Sequence, residues 1–156
     1  LRIAQIEAGG RRDNFATVDL AAVLSDVAEL YEPVAQEKGL NFSAHVEAAE
    51  TVSADRDLLF QSVANLTDNA IKYAPAGGSV TLHATGRSIT ASDTGPGVPK
   101  EARNDVFRRF HRLEESRSAP GSGLGLSLVK AVAQLHGGEV RLEDNRPGLK
   151  ATLTLG

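Results

Sequence analysis

Cysteine, methionine and tryptophan are absent from this chain of 156 residues. Without a thiol there is no disulfide, no Cys-ligated zinc or iron–sulfur cluster and no thiol nucleophile. Aromatic residues are scarce, two Tyr and five Phe, and 17 basic against 20 acidic side chains leave a net charge of -3. That balance gives no overall attraction to nucleic acid or to an anionic membrane, so neither is expected as a partner and any anionic ligand must be held by local chemistry. No apolar run approaches the roughly 20 residues that span a bilayer, and no signal peptide opens the chain, so it reads as cytoplasmic. The start at Leu1-Arg2-Ile3, without Met, reads as a fragment of something longer.

What is present is ordinary globular usage, 41% hydrophobic and 24% charged, which excludes collagen-like, disordered and coiled-coil chains. At this length about two thirds of the unfolded surface is buried on folding, enough for one domain with an unstapled core. Residues 1–8 read as the last turns of a helix, closed by Gly9-Gly10 and the polar Arg11-Arg12-Asp13-Asn14. A boundary therefore divides a helix remnant and linker, 1–12, from a domain, 13–156. Residues 15–18 predict a short strand, and Asp19 an N-cap for a helix carrying Leu20, Val23, Leu24, Val27, Leu30, Tyr31 and Val34. Pro33 predicts a kink, Lys38-Gly39 a cationic last turn and stop. Residues 40–46 alternate like a strand, and a second helix starts near the cap Asp55. Strands are predicted at 79–84 and 88–92 around a turn at Gly86, and a third helix opens at Gly123 and stops at Gly137-Gly138. The final hairpin joins 139–143 to 150–155. The glycine-rich, weakly apolar stretch 94–122, with a short helix at 100–107, has the length of a functional lid. This order favours helices on one face of a mostly antiparallel sheet over a doubly wound parallel sheet.

Three segments carry polar groups in patterns that suit a nucleotide. On the second helix Asn65, Asn69 and Lys72 recur at i, i+4 and i+7 and so share one side, next to the apolar stripe Leu59, Val63, Leu66 and Ala70. Amide oxygens suit Mg²⁺ and an ammonium suits phosphate; a solvated helix face is the alternative. Asp93-Thr94-Gly95-Pro96-Gly97 follows a strand. A buried carboxylate there accepts the exocyclic amine of adenine and rejects the carbonyl of guanine; an Asp-initiated turn is the alternative. Gly121-Ser122-Gly123-Leu124-Gly125 runs into a helix whose free N–H groups favour phosphate, although it is neither a dinucleotide fingerprint nor a P-loop. A flexible glycine hinge remains the alternative there. Between the last two lies Phe107-Arg108-Arg109-Phe110-His111-Arg112, with arginines able to neutralise phosphate charge and phenylalanines able to fasten a lid.

Taken in order, the Asn-x-x-x-Asn helix ending Lys72-Tyr73-Ala74-Pro75, the Asp-x-Gly-x-Gly turn, the aromatic Arg segment and the Gly-x-Gly-x-Gly helix start resemble the N, G1, F and G2 boxes of the catalytic and ATP-binding domain of sensor histidine kinases. The resemblance runs from about Phe15 to the end, and residues 1–8 resemble the tail of a dimerisation helix. It implies a Bergerat-type (GHKL) α/β sandwich: a mixed, mostly antiparallel sheet, helices on one face and a mobile ATP lid over 98–122. It further implies ATP and Mg²⁺ as ligands, with Asn69 coordinating the metal, Asn65 supporting metal and phosphates, and Lys72 contacting phosphate. Tyr73 lines the pocket, Asp93 takes the adenine amine, Gly95 and Gly97 shape its floor, and Ser122, Gly123, Leu124 and Gly125 cradle phosphates. Arg109 and Arg112 are the γ-phosphate candidates.

Related gyrase, Hsp90 and MutL ATPases carry a water-activating Glu at the position of Asn65, so the resemblance implies a kinase rather than a hydrolase. Three departures, Thr67, Arg108 and the single glycine of Gly148-Leu149-Lys150, touch no implied ATP contact. None of His45, His83, His111 and His136 has the acidic residue and proline that follow a phosphoacceptor histidine. The expected partners are accordingly the protein's own dimerisation and phosphoacceptor helices, with a response regulator downstream. A homodimer is expected only of a full-length protein, for which anchorage in the inner membrane stays open. The competing readings are a degenerate, non-catalytic docking module, separable by its failure to form phosphohistidine, and an anti-sigma-factor-type serine kinase, disfavoured by the helix remnant at 1–8.

Overall fold

Asp19 ends one element and begins another. In the computed structural model, which describes residues 15–94, 125–144 and 149–156, β1 (Ala16–Asp19) runs straight into α1 (Leu20–Lys38). Asp19 keeps extended backbone while its side chain accepts the Ala21 N–H at 2.9 Å, the predicted cap. The stripe Leu20, Val23, Leu24 and Val27 is fully buried, and the helix continues through Pro33 to Lys38. Gly39 then adopts the left-handed conformation at φ 81°, returning its N–H to the carbonyls of Ala35 and Gln36. Leu30 and Val34, by contrast, are exposed.

The chain continues through β2 (Asn41–Ala49), β3 (Thr51–Ala54), α2 (Arg56–Tyr73), β4 (Ser79–Gly86), β5 (Ser88–Asp93), α3 (Gly125–Leu135), β6 (Glu139–Asp144) and β7 (Leu149–Thr154). Five strands form one sheet in the order β2-β4-β5-β7-β6, and β1 pairs with β3 in a separate two-stranded ribbon. Within the sheet β2 and β4 are parallel and the other three pairings antiparallel, the mixed sheet that was expected. A parallel pair needs a crossover, and the connection containing α2 supplies it. The strand β3 was not foreseen.

Alternation along the strands separates the two faces. Val80, Leu82, Ala84, Ile89, Ala91, Ala151 and Leu153 are buried beneath the helices, with α2 packed between α1 and α3. On the opposite phase, hydroxyl pairs Ser43–Thr81, Thr90–Thr152 and Ser88–Thr154 cross neighbouring strands. Helices on one face and a polar second face give the sandwich read from the sequence. The helix remnant at 1–12, the short helix at 100–107 and the lid at 98–122 lie outside the described residues.

Candidate functional site

Helix α2 begins at Asp55, whose carboxylate accepts the Leu58 N–H at 3.1 Å and which is almost fully buried. Its apolar stripe Leu59, Val63, Leu66 and Ala70 is sealed in the core, which leaves Asn65, Asn69, Lys72 and Tyr73 half-buried along the margin. The three polar residues thus share the side that the spacing predicts. Asn69 Nδ2 is buried and has no hydrogen-bond partner. A native amide left in that state calls for an explanation, and a ligand is one. A half-turn of the amide exchanges N and O, so Asn69 has an acceptor oxygen to offer at the same point. With the Asn65 amide one turn away, the donor set suits a hard cation.

Asp93 is the last residue of β5, opposite Val80 of β4. It stands in phase with Ile89 and Ala91 on the helix-facing side of the sheet and is only 4% exposed. A carboxylate at the end of an apolar row is costly to bury unless something hydrogen-bonds to it. The neighbouring Thr94 donates its N–H to the Ser79 carbonyl at 3.2 Å and accepts the Ser79 N–H on Oγ1 at 3.0 Å. Ser79 follows the turn that ends α2, where the Gly78 N–H reaches the Pro75 carbonyl at 2.8 Å. The carboxylate is thereby brought to the C-terminal end of the helix that carries Asn69 and Lys72.

The third element approaches from its other end. His136, just beyond α3, accepts the Asp55 N–H on Nε2 at 3.1 Å and donates from Nδ1 to the Val132 carbonyl at 2.7 Å, a pairing that fixes the Nδ1–H tautomer. Phe15 stacks on its ring with centroids 4.6 Å apart. Helix α3 packs against α2, with Leu128, Val132 and Leu135 clustered with Leu58 near the start of α2.

Lys38 supplies a contact that local sequence did not reveal. It stands in its own last turn, as the sequence predicts, and its Nζ also donates to the carbonyls of Ile71 and Lys72 at 2.7 and 2.8 Å, capping the neighbouring helix as well. Tyr31, also on α1, has its pKa raised by burial, with the Asp68 carboxylate adding to the effect. Gly78 and Thr94 were likewise missed as groups that shape the site. Of the predicted residues, Gly95, Gly97, Arg109, Arg112, Ser122, Gly123 and Leu124 lie outside the described residues.

Residues 54–156 match the model of the family described as histidine kinase-, DNA gyrase B-, and HSP90-like ATPase. The signal transduction histidine-protein kinase/phosphatase MprB of Mycobacterium sp. (strain KMS) is 40% identical over 147 residues, covering 91% of this chain and 28% of the relative. Among solved structures, that of the mycobacterial sensor histidine kinase MprB is 32% identical with a TM-score of 0.71, over 90% of this chain and 96% of that one. Histidine kinase ThkA, solved in complex with the response regulator protein TrrA, matches in fold with a TM-score of 0.74 at 22% identity, over 90% of this chain and 41% of that one. The chain spans between about a tenth and two fifths of the length of the curated relatives it matches here. Among the described residues no helix is long and apolar enough to cross a membrane.

Proposed function

Because the chain belongs to the histidine kinase-, DNA gyrase B- and HSP90-like ATPase family, we propose that it is the ATP-binding catalytic domain of a two-component sensor histidine kinase. It passes the γ-phosphoryl group of ATP to a histidine on dimerisation helices that precede residue 13 in the intact protein, and a response regulator takes the phosphoryl group from there. The observation that carries this reading is the buried carboxylate Asp93 at the end of β5, beside the turn that closes a helix whose margin holds Asn65, Asn69 and Lys72, with Asn69 Nδ2 buried and without a partner.

Each group has a chemical task. Asp93 takes the exocyclic amine of adenine, and Tyr73 lines the nucleotide's site. Lys72 and the N–H groups at the start of α3, Gly125 among them, receive the phosphates. Asn69, supported by Asn65, would hold Mg²⁺. That ion, when bound, neutralises charge on the β- and γ-phosphates. By their places in the motifs, Gly95 and Gly97 floor the base site, Ser122, Gly123 and Leu124 complete the phosphate cradle, and Arg109 and Arg112 reach the γ-phosphate. Phosphoryl transfer to an imidazole needs alignment and charge neutralisation rather than a strong base, since a neutral imidazole is already a nucleophile. Asn65 agrees with that demand, because an amide cannot deprotonate water.

Calorimetric titration with ADP, with and without Mg²⁺, tests the pocket. Wild-type protein binds more tightly with Mg²⁺, and Asp93→Ala loses a charge-assisted hydrogen bond of about 1.5–3 kcal/mol, a roughly tenfold to hundredfold weaker affinity. Equal affinity in wild type and a folded Asp93→Ala would refute the assignment of Asp93.

A further inference from the structure

The sheet ends at Asp93 in an unusual way. An antiparallel ladder continuing one pair further would send the Ser79 N–H to the backbone carbonyl of Thr94. Here the Ser79 N–H goes to Thr94 Oγ1 at 3.0 Å, while the Thr94 N–H still donates to the Ser79 carbonyl at 3.2 Å. One side chain replaces one carbonyl, which lets the chain leave the strand directly after Asp93 without loosening its pairing with Val80.

Gly78 makes room for this arrangement. A Cβ on Gly78 would stand 2.6 Å from Thr94 Oγ1 and 2.9 Å from the Pro75 carbonyl oxygen, both inside contact distance. Any side chain there displaces either the hydroxyl or the turn closing α2. The same turn is tied to the other flank, where the Gly77 N–H reaches the Gly39 carbonyl at 3.0 Å and the Asn41 N–H the Gly78 carbonyl at 2.9 Å. Thr94 and Gly78 therefore join the carboxylate at the sheet's end to the helix that carries Asn69 and Lys72.

We propose that Thr94 and Gly78 are positioning residues for nucleotide recognition: Thr94 Oγ1, seated against Gly78 and holding the Ser79 N–H, fixes the place of the Asp93 carboxylate relative to the phosphate-binding margin of α2. The proposal rests on the reading of Asp93 as the acceptor of the adenine amine. Its signature is selectivity for the base rather than affinity alone, because Thr94 acts only through Asp93.

Calorimetry with ADP and with inosine diphosphate, which carries a carbonyl where adenine carries the amine, reads that signature. Thr94→Val, close in shape but unable to accept the Ser79 N–H, weakens ADP about fivefold or more while leaving inosine diphosphate within about twofold, the scale of one lost hydrogen bond. Thr94→Ser keeps Oγ1 and restores the preference for ADP. Gly78→Ala lowers that preference as Thr94→Val does, and it carries the test alone if Thr94→Val does not fold. Equal loss of both nucleotides, or an unchanged preference in a variant set where Asp93→Ala abolishes it, overturns the positioning role. Absence of ADP binding by folded wild type overturns instead the reading of Asp93, and the proposal with it.

Discussion

An amide at position 65 sets what the site can do to water. Asn65 lies half-buried on α2 beside Asn69, and an amide offers hydrogen bonds but takes no proton at neutral pH. Asn65→Glu places a base there, and slow background hydrolysis of ATP rises, by up to roughly a hundredfold if the carboxylate meets the attacking water. A phosphate-release assay reads this, and an unchanged rate with ADP binding intact contradicts the assignment. Tyr31 gives a prediction in pH. Burial and the Asp68 carboxylate hold its folded pKa above the ordinary value, so the fold favours the protonated phenol. Its contribution to stability is complete below about pH 10 and is lost as pH rises through the folded value. Thermal melts between pH 8 and 11 therefore show a shallower alkaline loss for Tyr31→Phe than for wild type, and equal slopes refute this. At this scale the polar row on α2 and Asp93 were legible, because spacing along one helix and position after one strand are local. Thr94 with Gly78, and Lys38, were not legible, because each acts on groups 15 or more residues away.

Helix α2 carries most of the candidate site, and its two ends are held by other elements. His136 accepts the Asp55 N–H at the start, and the Lys38 ammonium takes two carbonyls at the finish. Two charge-assisted bonds at the negative end of a helix, part-buried, contribute about 1–2 kcal/mol. Lys38→Met lowers stability by that amount in urea unfolding, and Lys38→Arg recovers part of it; no change with Lys38→Met contradicts the capping role. Helices were the elements best read from the sequence, since Asp19 and Asp55 cap them by the expected side-chain bonds and their apolar periods span many residues. Strand β3, Thr51–Ala54, escaped although β1 of the same length was predicted. Its partner β1 lies over thirty residues earlier, a pairing with no local signature. The parallel register of β2 against β4 was hidden for the same reason.

As a whole the molecule brings the end of β5 to the turn that closes α2 and sets α3 against α2. This arrangement follows from topology, since the parallel β2–β4 pair forces the crossover through α2, and His136 ties the end of α3 to the start of α2. None of the four histidines stands in a phosphoacceptor sequence, so under the proposed function the acceptor histidine lies outside these 156 residues. The most direct measurement combines this chain with a separately produced dimerisation-helix pair of the same protein and ATP labelled on the γ-phosphate. The account predicts acid-labile, alkali-stable label on the helix pair and none on this chain. Acid-stable label would indicate a serine kinase, and no label from a sample that binds ADP would leave a nucleotide-regulated docking module; either result contradicts histidine phosphorylation by this domain.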